Sequence, residues 1–302
     1  MSLRFLKQAS AAFRRLNPES VLRECQRPFS LALVGSQAEV SAMEAWLVPP
    51  ELSPAKQEQA RKRLFSMALP LSPGDRAMLP GMSVRLAGLS ATEELRSLTR
   101  DYTLFLPEQP DTAAAELLEA NPEISLALAR HFPPLRELVI ERFIKTVARE
   151  NAAFAILSAL PNVIPNPFEL PWALGEFASD TAILTANQVR LALLIAAASD
   201  SPVGFVEQKG QVLSIIGSAF GWRALARELG GKVPAGGGLV VKGLIAYAGT
   251  YTVGVGLARF HRWGRRLTRA EKKQAYQEAF RSGRAAVEGM ARHALARRRE
   301  RM

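Results

Sequence analysis

NAAFAILSALPNVIPNPFELPWALGEFASDTAILTANQVRLALLIAAAS, residues 151–199, is the stretch on which the reading of the fold turns. Two apolar runs rich in Ala, Leu and Ile flank a segment holding Pro161, Pro165, Pro167 and Pro171. Proline lacks the N–H that an interior helical turn needs and pushes the preceding residue out of the helical region, so this segment reads as extended or tightly turned. The flanking runs have helical length, and the whole reads as a helical hairpin with a rigid apolar tip. In the return arm, Asp180, Asn187, Gln188 and Arg190 stand among apolar side chains. Asp180, Leu184 and Gln188 share one helical face at four-residue spacing. Ionisable groups are costly against lipid, so these four are expected to point inward as a buried polar network that fixes helix register.

Downstream, residues 239–260 read LVVKGLIAYAGTYTVGVGLARF. Ala248, Thr252 and Gly256 repeat every four residues, as do Thr250, Gly254 and Ala258, and Gly243 precedes them. Seams of small residues let helices approach closely. From residue 243 to 258 the run has 16 uncharged residues, against about 20 for a full bilayer span. Lys242 can snorkel outward and lengthen it. Two readings stand side by side, a membrane helix and a tightly packed helix of a soluble bundle. Under either, the four hinge prolines with Gly243, Ala248, Thr252, Gly254, Gly256 and Ala258 are the expected membrane or helix-contact residues.

Charge is concentrated at one end of the 302-residue chain. Net charge is +11, and residues 259–302 hold 14 Lys/Arg against 4 Asp/Glu, so the remainder is close to neutral. The tail contains RFHRWGRR and ends in RRRERM, which places Arg262, Arg265, Arg266, Arg269, Lys272, Lys273, Arg297, Arg298 and Arg299 in an anion-binding tail. Thr268 and Glu271 have capping-box spacing, and one helix is expected over residues 269–299, with Tyr276, Phe280, Val287, Met290 and Ala294 as an apolar stripe. Such a tail seeks a polyanion. An anionic membrane surface is the favoured partner, since each Lys or Arg there contributes about 1 kcal/mol. A nucleic acid is the less favoured one, because no recognition motif accompanies the charge. The N-terminal MSLRFLKQASAAFRRL reads as a basic amphipathic helix and lacks the unbroken apolar core of a secretory signal.

Residues 28–111 read as a small α/β unit. FSLALVG at 29–35, 64–69, 84–86 and 102–106 are the expected strands, with helices at 38–47 and from 54 to 63. A phosphate loop after the first strand would need Gly, Lys and Ser or Thr where Val40, Ser41 and Ala42 stand, so nucleotide hydrolysis is not expected. Gly230–Gly231–Lys232 is followed by Val233 and reads as a linker. The single Cys25 excludes an internal disulfide, and His131, His261 and His293 lack ligand spacing. No catalytic residues, metal ligands or cofactor site can be assembled, so a non-enzymatic protein is expected.

ENAAFAILSALPNVIPNPF at 150–168, SD followed by LTANQVRLALLIA at 184–196, and KGLIAYAGTYTVGVGLARF at 242–260 give a further indication. Over residues 135–264 the chain resembles a bacterial helical domain of unknown function associated with Era-like GTPases and also found in inner-membrane proteins. The resemblance implies an all-helical, membrane-associated module with no reaction to transfer. It implies a degenerate Era-like GTPase domain in front, with RLAG at residues 85–88 where such a domain has DxxG.

The expected fold class is α+β. It comprises a basic helix (1–27), an α/β domain without a phosphate loop (28–111), a helical domain with hydrophobic hairpins (112–264) and a basic amphipathic helix (265–302). The expected function is a membrane-associated scaffold or regulator at the cytoplasmic face of a bacterial inner membrane, with a second copy or a GTPase as partner. The alternatives are a soluble binder of nucleic acid or protein that uses the tail, and a divergent nucleotide-binding regulator.

Overall fold

The structure, a computed structural model, describes residues 18–99, 101–159, 180–212, 214–215 and 238–300. The described residues are mostly helical, with one small parallel sheet, and they fall into two units. The first comprises residues 22–140 and 197–200, and the second takes in 141–196 and the chain from 201 onward.

In the sheet unit, β1 (Leu31–Gly35) is buried along its whole length, as a central parallel strand with cover on both faces must be. β2 (Leu64–Ala68) pairs on one side of it, and β3 (Val84–Ala87) on the other. β4 (Thr103–Leu104) extends β3, giving the order β2-β1-β3-β4 with every pairing parallel. α1 (Pro18–Cys25) precedes the sheet, and α2 (Gln37–Leu47) and α3 (Pro54–Arg61) connect β1 to β2. α4 (Pro73–Met78) leads to β3, and α5 (Thr92–Leu98) to β4. One core cluster joins Ala32, Val34, Met67, Leu79, Ala87 and Leu95.

The sheet unit extends past the boundary expected at residue 111. α6 (Pro110–Ala120), α7 (Ser125–His131) and the first turns of α8 (Pro133–Leu157) belong to it. The cause is burial. Leu126, Ala127, Leu128 and Ala129 of α7 are all inaccessible, and Phe132 meets Phe29 edge-on at 5.9 Å, just ahead of β1. Arg136 donates to the carbonyls of Ala129 and Arg130, which satisfies the end of α7. Residues 197–200 also join this unit. Asp200 adopts a positive φ of 52°, which aspartate tolerates, and its carboxylate meets Lys56 at 2.6 Å and Arg130 at 3.3 Å.

The helical unit contains the rest of α8, all but the last two residues of α9 (Asp180–Ala198), α10 (Gly238–Trp263), α11 (Arg269–Ser282) and α12 (Arg284–Glu300). Its core gathers Ala148, Ile156, Leu244, Tyr247, Tyr276 and Val287. Two glycines of α10 set the approach distance. A Cβ on Gly243 would stand 2.8 Å from Val287 and 2.9 Å from Ile156, and one on Gly254 would stand 2.6 Å from Ile144. The single helix expected over 269–299 is two helices instead. The chain breaks at the buried Gly283, where a Cβ would lie 2.5 Å from the ring of Tyr247. The break lets Tyr276 and Ala279 on one side, and Val287 and Ala291 on the other, reach the same core.

Several expected features lie outside the described residues: the N-terminal helix up to residue 17, Pro161, Pro165, Pro167, Pro171, the linker at 230–237 and most of the helix expected over 206–229. Of that last helix, residues 209–212 and 214–215 are described and helical.

Candidate functional site

The tail's charge meets the apolar helix at the elbow between α10 and α11. α10 ends where Gly264 takes a φ of +67° and its N–H reaches back to the carbonyl of Phe260 at 2.8 Å, a glycine stop. Four residues later Thr268 restarts the helix. Its hydroxyl accepts from the N–H of Glu271, and the Glu271 carboxylate returns to the N–H of Thr268 at 2.8 Å, a complete capping box. The same carboxylate holds Arg259 at 2.6 Å and Arg265 at 3.4 Å. The backbone N–H of Thr268, aided by its hydroxyl and Arg259, brings Glu271 down to about 2, so it is fully ionised near neutrality.

Around this clamp, Arg262, Arg265, Arg266, Arg269, Lys272 and Lys273 are exposed. Trp263 projects with 59% of its surface accessible. The guanidinium groups of Arg262 and Arg259 lie 4.9 Å and 5.5 Å from its ring centre, within cation–π range. An open indole held by two arginines suits a boundary between water and an apolar phase, where an amphipathic ring keeps one side wet. Residues 297–299 lie in α12, and the side chains of Arg297, Arg298 and Arg299 are outside the described set.

Beside the elbow is a half-open groove walled by Val253, Gly256, Leu257 and Phe260 of α10, Leu267 of the connecting turn and Ile215, with Arg266 and Lys272 also lining it. The small-residue seams of α10 divide between two surroundings. Gly243, Ala248 and Gly254 are buried in the helical core, whereas Gly256 faces the groove, where a Cβ would come no nearer than 3.4 Å to Leu267. Thr252 is buried and also lines the groove, with its hydroxyl bonded to the carbonyl of Ala248, and Ala258 is half-buried.

The polar residues of α9 come together with partners the spacing did not suggest. Asn187 donates to Asn151 at 2.7 Å, Asn151 donates to the Thr250 hydroxyl at 2.8 Å, and Gln188 donates to that same hydroxyl at 3.2 Å. All four are buried. Arg190 pairs instead with the half-buried Glu150 at 3.0 Å. Asp180 opens α9, and its side chain is outside the described set. Neutral amides thus meet at the buried centre, and the partly exposed Arg190–Glu150 ion pair is separate from them.

Two other places bring chemically capable groups together. Ser201 lies 3.1 Å from Nδ1 of His261, a serine–histidine contact that sequence separation concealed. Burial lowers the imidazole's pKa, and among the described residues no carboxylate orients it, so the pair lacks the third member of a hydrolytic set. In open parallel sheets ligands bind at the strand ends where the order reverses, here between β1 and β3. Glu39 fills that place. Its carboxylate accepts from the N–H of Ser36 at 2.8 Å, from the N–H of Ser90 at 3.1 Å and from both serine hydroxyls. A Cβ on Gly88 would fall on that carboxyl group. These hydrogen bonds outweigh desolvation and bring Glu39 to about 2. A fixed negative charge thus occupies the point where a phosphate would need backbone donors.

Among the described residues no cluster of His, Cys, Asp or Glu could hold a metal ion. Comparison of the chain with protein-family profiles, curated proteins and solved structures returned no match.

Proposed function

We propose that the protein is a non-enzymatic scaffold or regulatory protein that sits on an anionic membrane surface, its helical unit acting as a bundle with hydrophobic hairpins. The observation that carries this reading is Trp263, open to solvent and clasped by Arg259 and Arg262 amid exposed cations. The indole would enter the headgroup layer while the cations meet lipid phosphates, each worth about 1 kcal/mol near such a surface. α10 is apolar and long enough to cross a bilayer, but half of its most apolar window is buried in the protein, and the polar α11 packs along it. That packing favours a peripheral seat over a span. A cytoplasmic inner-membrane face would supply the anionic lipid, and a second copy or a GTPase would be the partner assembled there. The sheet unit offers a nucleotide no such opening, because Glu39 holds the anion position.

Flotation of the full chain with phosphatidylglycerol or phosphatidylcholine vesicles, with random-sequence RNA as competitor, tests this. Expected are flotation with the anionic vesicles alone, resistance to RNA at equal phosphate, and weaker binding by Trp263→Ser. Retention on RNA with no flotation would replace the reading with the soluble nucleic-acid binder.

A further inference from the structure

Resting on the membrane reading and deepening it, we infer that the groove beside the elbow takes one acyl chain of an anionic lipid, its headgroup held by Arg266 and Lys272. Val253, Leu257, Phe260, Leu267 and Ile215 give aliphatic and aromatic walls, and Gln211 and Ser214 also line the groove. The one hydroxyl on the α10 side, that of Thr252, already donates to the carbonyl of Ala248 at 2.7 Å, so it makes no demand on an apolar occupant. The space within the groove is about 200 Å³, smaller than the roughly 300–1,000 Å³ of drug-sized ligand sites, so it covers part of one narrow chain.

Charge selects the head of the occupant. Arg266 and Lys272 line the groove and are exposed, so they stand at its edge. The nearby carboxylate, Glu271, is committed to Arg259, Arg265 and Thr268, and among the described residues no other carboxylate pairs with Arg266 or Lys272. A cationic head would be repelled there, and a neutral head would leave both cations without a partner. An acyl chain with a phosphate or carboxylate head satisfies both the apolar walls and the charged edge. Such a chain comes either from a bilayer lipid or from free fatty acid.

Fluorescence titration of the full chain with dansyl-labelled undecanoic acid, followed by displacement, tests the assignment. Palmitate and lysophosphatidylglycerol should displace the probe, while glycerol phosphate and hexadecyltrimethylammonium should not. Gly256→Leu puts a side chain into the groove without touching the elbow's charges. It should weaken palmitate by about tenfold or more, as expected when several methylenes lose their cover. Val253→Phe, checked by circular dichroism and melting, provides a second filling should Gly256→Leu misfold. Arg266→Gln with Lys272→Gln should abolish the preference for palmitate over hexadecanol. Absence of saturable binding, equal displacement by the cationic amphiphile, or filled variants that bind palmitate normally would each overturn the inference. Flotation without palmitate or lysolipid binding would remove the groove and leave the membrane reading intact. Palmitate binding without flotation would make free fatty acid the source and remove the membrane reading.

Discussion

Glu39 and Glu271 begin two helices in the same way and leave opposite surfaces behind them. Each is the third residue of its helix and closes a capping box, and each is held at about 2. In the sheet unit the Glu39 carboxylate turns inward to Ser36 and Ser90 and closes the strand-end crevice. In the helical unit Glu271 gathers Arg259 and Arg265 and leaves Arg262, Arg266, Arg269, Lys272 and Lys273 exposed around it. One capping glutamate fills a strand-end crevice; the other gathers arginines and leaves cations exposed beside it. The sheet unit repeats the pattern elsewhere, with Arg130 and Lys56 on Asp200, Arg76 on Glu94 and Arg85 on three carbonyls. These cations are spent on the unit's own fold.

The contrast breaks most directly at the elbow. Combined Arg262→Glu, Arg266→Glu and Lys272→Glu should cut affinity for anionic vesicles by about a hundredfold, given the worth of each cation near such a surface. The melting temperature should hardly move, because exposed charges contribute little to folding. A large fall in melting temperature would mean that these cations support the fold, as their counterparts in the sheet unit do. The closed side of the helical unit should behave oppositely. Gly254→Leu drives a side chain into Ile144 and Leu191 and should destabilise by about 2 kcal/mol or more in chemical denaturation. A neutral result would mean that α10 is not clamped where the structure places it.

Sequence reading recovered the elements that local pattern determines. FSLALVG gave β1, and Thr268 with Glu271 gave the start of α11. It stopped where distant residues decide. Asn151 meets Thr250 across 99 positions, and Ser201 meets His261 across 60, so no spacing rule could pair them. The break at Gly283 was hidden in part for the same reason, since a Cβ there would run into the ring of the distant Tyr247 as well as the carbonyl of Ala279. The cationic tail was legible as composition, but its geometry was not. That Trp263 is the exposed aromatic of RFHRWGRR follows from the turn at Gly264 and the Glu271 clamp, which set the direction of the elbow.

Acid separates the sealed site from wild-type behaviour by a smaller amount. Glu39 falls from an ordinary value of 4.5 to about 2 on folding. Its stabilisation is therefore complete above pH 4.5 and is lost as the pH drops through 4.5 towards 2. Glu39→Gln should cost about 1 kcal/mol at pH 7, in the range of a lost helix cap. The difference from wild type should shrink as the pH falls through that window. A difference that stays constant with pH would show that the carboxylate's charge is not what closes the crevice.

The least disruptive change, Glu271→Gln, asks whether the open site is limited by charge or by shape. Glutamine can still return to the N–H of Thr268, since the capping box accepts either residue, so α11 should start where it does now. What is lost is the negative charge that holds Arg259 and Arg265. If charge alone sets attraction, the elbow gains one net positive charge and affinity for anionic vesicles should rise about two- to fivefold. The gain should not vary between pH 5 and 8, because Glu271 is ionised throughout that range. If affinity falls instead, the clamp matters for where it holds Arg259 beneath Trp263. The membrane contact would then depend on that one oriented indole more than on the number of cations around it.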